Sequence, residues 1–234
     1  MHSLNRQLLI KAEDITVRYG AKTALENVSF DIFKGDLVAI TGPNGGGKSS
    51  LIKSILRLVT PCTGKITYFE GEKEVNALSF GYLPQKNNID SRFPITVREV
   101  VASGLYENKV NLAGKFSKEN LDRLDYIMDL MGVKRFQDNV IGSLSGGQLQ
   151  RTLLGRALIS NPEVIVLDEP LSYVDVKFVN QIYEIIEKLS QRATVIVVSH
   201  EMNVLSKLAN RHWIIDKELE ECLASKHYVR MDCE

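Results

Sequence analysis

At 234 residues and 26.3 kDa, with 29 Lys and Arg against 29 Asp and Glu, the chain has no formal net charge. It therefore lacks the basic surplus by which proteins that live on nucleic-acid phosphates gain affinity. Hydrophobic residues at 44% and charged residues at 25% give a globular composition able to bury a sizeable core, and no apolar run approaches the roughly 18 to 20 residues that cross a bilayer.

The opening Met1–Gln7 carries an arginine but neither an apolar stretch nor a small-residue cleavage site, so no signal peptide is expected. Cys62, Cys222 and Cys233 are odd in number and far apart, the pattern of free thiols in a reducing compartment. Runs rich in Val, Ile, Thr and Phe then predict strands at Leu8–Ile10, Ile15–Tyr19, Val28–Phe33 and Leu37–Thr41, separated by turn-like Tyr19-Gly20 and Lys34-Gly35-Asp36. Lys48–Val59 has helical spacing at Leu51, Ile55 and Leu58 and is expected to stop at Thr60-Pro61; Gly64–Gly71 reads as a further strand.

From Lys86 to Met131 the pattern is helical. Thr96 and Glu99 make a capping box before Val100, Val101 and Leu105, and Ser117 caps a helix that aligns Leu121, Leu124, Met128 and Met131 and ends at Gly132. Seven Lys or Arg and seven Asp or Glu in this stretch read as a solvated face. After Ser145, helix and apolar strand alternate: Gln148–Ile159, Val164–Leu167, Val176–Leu189, Val195–Val198, Met202–Ala209 and Trp213–Ile215. Continuous apolar strands between helices indicate a parallel sheet covered on both faces. The expected architecture is one α/β core with a β-rich N-terminal part and a helical insertion at about 86–150.

Gly42-Pro43-Asn44-Gly45-Gly46-Gly47-Lys48-Ser49 fits G-x-x-x-x-G-K-[ST] between an apolar strand and a helix. Glycines let the backbone wrap an anion, and the first amides of the helix, with Ser50 following Ser49, point into the same space. Lys48 is placed to reach the outer phosphates and the Ser49 hydroxyl to hold magnesium. An N-K-x-D strand end, which would favour guanine, is absent from the sequence. The strand Val164–Leu167 ends in Asp168-Glu169-Pro170, and ligands of open parallel sheets collect at such carboxyl ends. Asp168 is expected to anchor magnesium and Glu169 to polarise the attacking water. The next strand ends in Ser199-His200, so His200 is expected near the terminal phosphate as a hydrogen-bond donor. Leu144-Ser145-Gly146-Gly147-Gln148 opens another helix, a second anion site made of a hydroxyl, two glycines and a helix dipole.

Together these residues resemble the ATP-binding cassette (ABC) ATPases, in the family's order over nearly the whole chain. Tyr19 resembles the aromatic that stacks on adenine, Gly42–Ser49 the Walker A loop, Gln85 the Q-loop glutamine and a further magnesium contact, and Leu144–Gln148 the signature. Val164–Glu169 resembles Walker B with its catalytic glutamate, Ser172-Tyr173-Val174-Asp175 the D-loop, and His200 the switch histidine. The D-loop departs from the family in Tyr173 and Val174, where smaller residues are usual. The resemblance implies a P-loop ABC ATPase fold in a single domain: a RecA-like core at about 1–85 and 151–234, an N-terminal antiparallel β part, and a helical subdomain at about 86–150. It implies ATP and Mg2+ as cofactors, and a head-to-tail dimer in which Ser145, Gly146, Gly147 and Gln148 of one copy close on the ATP of the other.

It further implies a peripheral subunit on the cytoplasmic face of a bacterial membrane, beneath a separate permease. Ile89, Phe93 and Ile95 are the candidate contacts. The wording Asn88-Ile89-Asp90 with Phe93–Val97, and the short chain, look most like ATPases of zinc and manganese uptake systems, which work with a metal-binding protein outside the membrane. A metal site in the tail from His227, Asp232 and Cys233 matches no zinc spacing. The competing resemblance is to a cytosolic ABC ATPase of iron–sulfur cluster assembly.

Overall fold

A computed structural model of the chain describes residues 6–85, 93–105, 116–172, 176–200 and 202–222. Asn88-Ile89-Asp90, Tyr173-Val174-Asp175 and the tail residues His227, Asp232 and Cys233 lie outside the described residues. In chain order the elements are β1 (Leu8–Tyr19), β2 (Lys22–Phe33), β3 (Leu37–Thr41), α1 (Lys48–Ile55), β4 (Thr63–Glu70), β5 (Lys73–Val75), β6 (Phe80–Leu83) and α2 (Val97–Ala102). They continue with α3 (Lys118–Leu130), α4 (Gly146–Leu158), β7 (Val164–Asp168), α5 (Val176–Ser190), β8 (Thr194–Val198), α6 (Met202–Leu208), β9 (Arg211–Asp216) and β10 (Glu218–Cys222). The chain divides into two units, residues 1–79 with 183–234 and residues 80–182, the division falling inside α5.

The first unit holds an antiparallel sheet in the order β2-β1-β4-β5 and a parallel set in which β8 and β9 flank β3 and β10 pairs antiparallel with β9. The two short N-terminal runs are one twelve-residue strand, β1, and β2 likewise starts earlier than the apolar pattern suggests. The interruptions are bulges. Asp14 and Asn27 take φ of 49° and 48°, a left-handed conformation that short polar side chains tolerate. The Asp14 N–H donates to Ser29 Oγ at 2.8 Å, the Ser29 hydroxyl donates to Asp14 Oδ1 at 2.9 Å, and the Asn27 N–H donates to Thr16 Oγ1 at 3.2 Å. β3 and β8 are buried almost throughout, as strands covered on both faces must be. Trp213 and Phe30 meet with ring centroids 4.9 Å apart in the core.

α1 ends at Ile55 and does not run to Val59. Arg57 takes φ 54°, its N–H donates to Ser54 O at 3.0 Å and the Leu58 N–H to Lys53 O at 2.8 Å, which closes the helix in a left-handed cap. Leu58, expected inside, is consequently 62% exposed. Arginine stands where glycine is usual because its guanidinium is held elsewhere, 4.2 Å from the Tyr68 ring centroid and donating to the Asn76 and Ile66 carbonyls. At the opposite end of β3 from the glycine loop, Asp36 is fully buried. It accepts from Arg6, from Arg211 Nη1 at 3.0 Å and from the Phe33 N–H at 3.0 Å, while Arg211 also grips Glu221 through two 2.6 Å bonds.

In the second unit β6 pairs in parallel with β7, beside α2, α3 and α4. The capping box at Thr96 and Glu99 is formed, Ser117 caps α3, and Gly132 at φ 65° closes it. Leu124, Met128 and Met131 are buried as the spacing requires, but Leu121 is 40% exposed and Ile127 turns inward in its place. β6 was not legible as a strand. Its Gly81 lies under α4 so closely that a Cβ would sit 2.1 Å from the Ala157 carbonyl oxygen.

Candidate functional site

The first unit delivers the glycine loop from the end of β3. Gly42, Gly45 and Gly47 have φ of 138°, 82° and 108°. A Cβ on Gly42 would meet the Ile215 carbonyl oxygen at 2.0 Å and one on Gly47 the Ala24 carbonyl oxygen at 2.3 Å, so neither position admits a side chain. Lys48 opens α1 and is buried, its ammonium donating to the Gly42 and Pro43 carbonyls at 2.7 and 2.9 Å. The helix has no side-chain cap and no acidic residue in its first turn, leaving the amides of Lys48, Ser49 and Ser50 directed at the loop. Asn44, Gly45 and Ser49 are exposed, Gly46 is buried and Ser50 half-buried.

Strand register places His200 at this rim. Ile40 lies opposite Val198 on β8, and the Ser199 N–H donates to Ile40 O at 3.2 Å. His200 and Gly42 therefore stand at the same level beyond two adjacent parallel strands. Tyr19, at the β1–β2 hairpin, is 49% exposed and presents an open aromatic face.

The second unit brings its own set to one strand end. Leu83 lies opposite Leu167, so Gln85 and Glu169 are level beyond β6 and β7. Asp168 is 3% and Glu169 9% exposed, and Glu169 takes φ 54°, a left-handed backbone that costs a non-glycine residue about 1–2 kcal/mol. Gln85 is exposed. Tyr82 on β6 is a residue the sequence did not single out: burial, and then the Asp168 charge, push its phenol up to about 12, which keeps it protonated beside the carboxylate. Its place in a strand of four residues gave no signal of its own.

Ser145 caps α4, which begins at Gly146, two residues before the helix expected from the sequence. The Ser145 N–H donates to Gln148 Oε1 at 2.9 Å and the Gln148 N–H to Ser145 Oγ at 3.3 Å. The Gln148 side chain is thus engaged in holding Ser145, and the pair forms a reciprocal box. Ser145 and Gly146 are exposed, Gly147 and Gln148 half-buried, and the first turn has no acidic residue to repel an anion. Gln150 Nε2, further along α4, donates to Pro170 O at 3.5 Å and ties the helix to the segment after Glu169.

Residues 25–172, well over half of the chain, match the family model described as ABC transporter. The chain belongs to the ABC transporter family. Among similar curated proteins, a "Probable metal transport system ATP-binding protein" of Chlamydia pneumoniae is 37% identical over 90% of this chain and 87% of its own length. The "Zinc uptake system ATP-binding protein ZurA" of Listeria monocytogenes is 34% identical over 91% of each chain. A solved ATP-binding cassette, crystallised as a dimer in a post-hydrolysis state with ADP and phosphate, superposes with a TM-score of 0.77 at 27% identity, covering 92% of this chain and 99% of that one. The chain is accordingly a nucleotide-binding ABC ATPase with the mixed parallel and antiparallel fold of the family. No helix among its described residues is long and apolar enough to cross a membrane.

Proposed function

We propose that this ABC ATPase drives import of a divalent metal ion, zinc or manganese, as a head-to-tail dimer beneath a separate membrane permease on the cytoplasmic face. The observation that carries the cargo reading is similarity to a zinc uptake ATPase across 91% of both chains. The permease would meet the surface around Phe93, 60% exposed, and the half-buried Ile95. A metal-binding protein outside the membrane would supply the cargo to that permease.

The roles of the site residues belong to the same proposal. Tyr19 stacks on the adenine, the Gly42–Ser50 segment cradles the phosphates through backbone amides, and Lys48 exchanges its two loop carbonyls for outer phosphate oxygens. Ser145, Gly146, Gly147 and Gln148 of the second copy close on the terminal phosphate from the other side. Glu169 accepts a proton from water as its oxygen bonds to the terminal phosphorus and the bond to the ADP oxygen breaks. His200 donates a hydrogen bond to that phosphate and orients the water. The donors Ser49 Oγ, Gln85 Oε1 and Asp168 carboxylate are all oxygen, the set a magnesium ion prefers, and the ion would neutralise phosphate charge when bound.

Glu169→Gln tests the chemistry. ATP binding should persist, turnover should stop, and the protein should elute as a dimer with ATP; hydrolysis near the parent rate would remove Glu169 as the base. Co-purification tests the coupling. A polytopic membrane protein, whose reconstitution with this chain gives ATP-dependent zinc or manganese uptake, supports import. A soluble β-helical partner would instead favour iron–sulfur assembly.

A further inference from the structure

We infer that the β9–β10 turn is a brace that positions the phosphate loop, with the backbone N–H and C=O of Lys217 as its working parts. Lys217 stands between the paired residues Asp216 and Glu218 and takes φ 62°. Its N–H donates to the Gly46 carbonyl at 2.7 Å, and its own carbonyl accepts from the Glu26 N–H on β2 at 2.8 Å. One residue thus links, through the two peptide groups that flank its Cα, the glycine loop to the hairpin strand that leads back to Tyr19. The preceding carbonyl of Ile215 fills the place where Cβ atoms of Gly42 and Gly46 would lie, 2.0 and 2.6 Å away. The loop therefore rests on β9, and its spacing from the Tyr19 hairpin is set through Lys217.

The turn is itself fixed from below. β9 runs parallel to β3 with Thr41 opposite Ile214, and Arg211 binds Glu221 across the hairpin through two bonds. A shift of β10 against β9 would move the Lys217 N–H away from Gly46. Because the loop's amides bind phosphate only in one backbone arrangement, loosening the brace raises the nucleotide dissociation constant without touching any group that meets the nucleotide. Lys217 is in this sense a positioning residue, and its role rests on the reading that Gly42–Ser49 hold the phosphates.

Titration with a fluorescent ATP analogue, alongside thermal unfolding, tests the brace. Lys217→Pro, which loses the N–H and cannot adopt φ 62°, should raise Kd about tenfold, and Lys217→Val, which keeps the N–H but resists that φ, about threefold. Lys217→Gly keeps both and should stay within about twofold of the parent. Asn161→Val strains another left-handed residue, at φ 55° in the second unit, and should lower stability while leaving Kd unchanged. If folded Lys217→Val binds like the parent, or Asn161→Val weakens binding equally, the brace is overturned. Lys48→Ala keeps the two readings apart: no effect there overturns the nucleotide site itself, whereas an effect there and none at Lys217 overturns only the brace.

Discussion

Replacing Asp36 by asparagine probes the ion cluster at the base of β3. The carboxylate is fully buried between Arg6 and Arg211, and the substitution keeps an oxygen for the Phe33 N–H while removing the charge both arginines face. Removing one partner of a buried pair costs about 3–5 kcal/mol when the other is left uncompensated. Here the loss is smaller, because Arg211 retains two 2.6 Å bonds to Glu221 and the Arg6 side chain is 48% exposed. About 2–3 kcal/mol remains, which lowers Tm by about 5–10 °C in a chain of this size. Differential scanning calorimetry of the two proteins measures it. Five strand residues, about 16 Å, separate Asp36 from the glycine loop, so ATP affinity should change less than about twofold. A Tm shift below about 1 °C would refute the reasoning and mean that the cluster only offsets its own desolvation.

Other perturbations have equally definite outcomes. Lys48→Ala should raise the ATP Kd by about thirtyfold in the same titration, through lost charge-assisted bonds to phosphate. Ser145→Ala removes the α4 cap at a cost of about 1 kcal/mol, a Tm drop of about 2–4 °C, and should also abolish ATP-dependent dimerisation seen by light scattering. The Glu99 carboxylate is held below the ordinary range by hydrogen bonds from the Thr96 N–H and hydroxyl. Its contribution is therefore present above the unfolded-state value and lost as pH falls through the lower folded value. Chemical denaturation should find Glu99→Gln less stable than the parent at neutral pH, with the gap closing in acid. Gly81→Ala should destabilise strongly, since its Cβ would meet the Ala157 backbone, and circular dichroism melting will show it.

The parts of the fold that the sequence displays are those whose physics is local. The glycine loop is written in residues because its backbone angles exclude side chains, and β3, β7 and β8 show as unbroken apolar runs because both faces are covered. The caps at Thr96 and Ser117 read correctly for the same reason: donor and acceptor lie three residues apart. What escapes is set by distant backbone. β6 is short and built around a glycine required by α4, β10 carries three glutamates in five residues along a sheet edge, and the end of α1 depends on an arginine held by Tyr68, Ile66 and Asn76. The contact of Lys217 with Gly46 joins residues far apart in the chain through main-chain atoms alone, and no side-chain pattern records it.

Glu169 sits in a conformation that glycine would adopt freely and that asparagine would adopt with little strain. Directed evolution toward heat resistance alone should therefore drift toward Gly at this site, gaining about a degree or two while discarding the carboxylate. A thermostabilised version of this ATPase would have to be selected under turnover, with position 169 shielded from any search that rewards folding only.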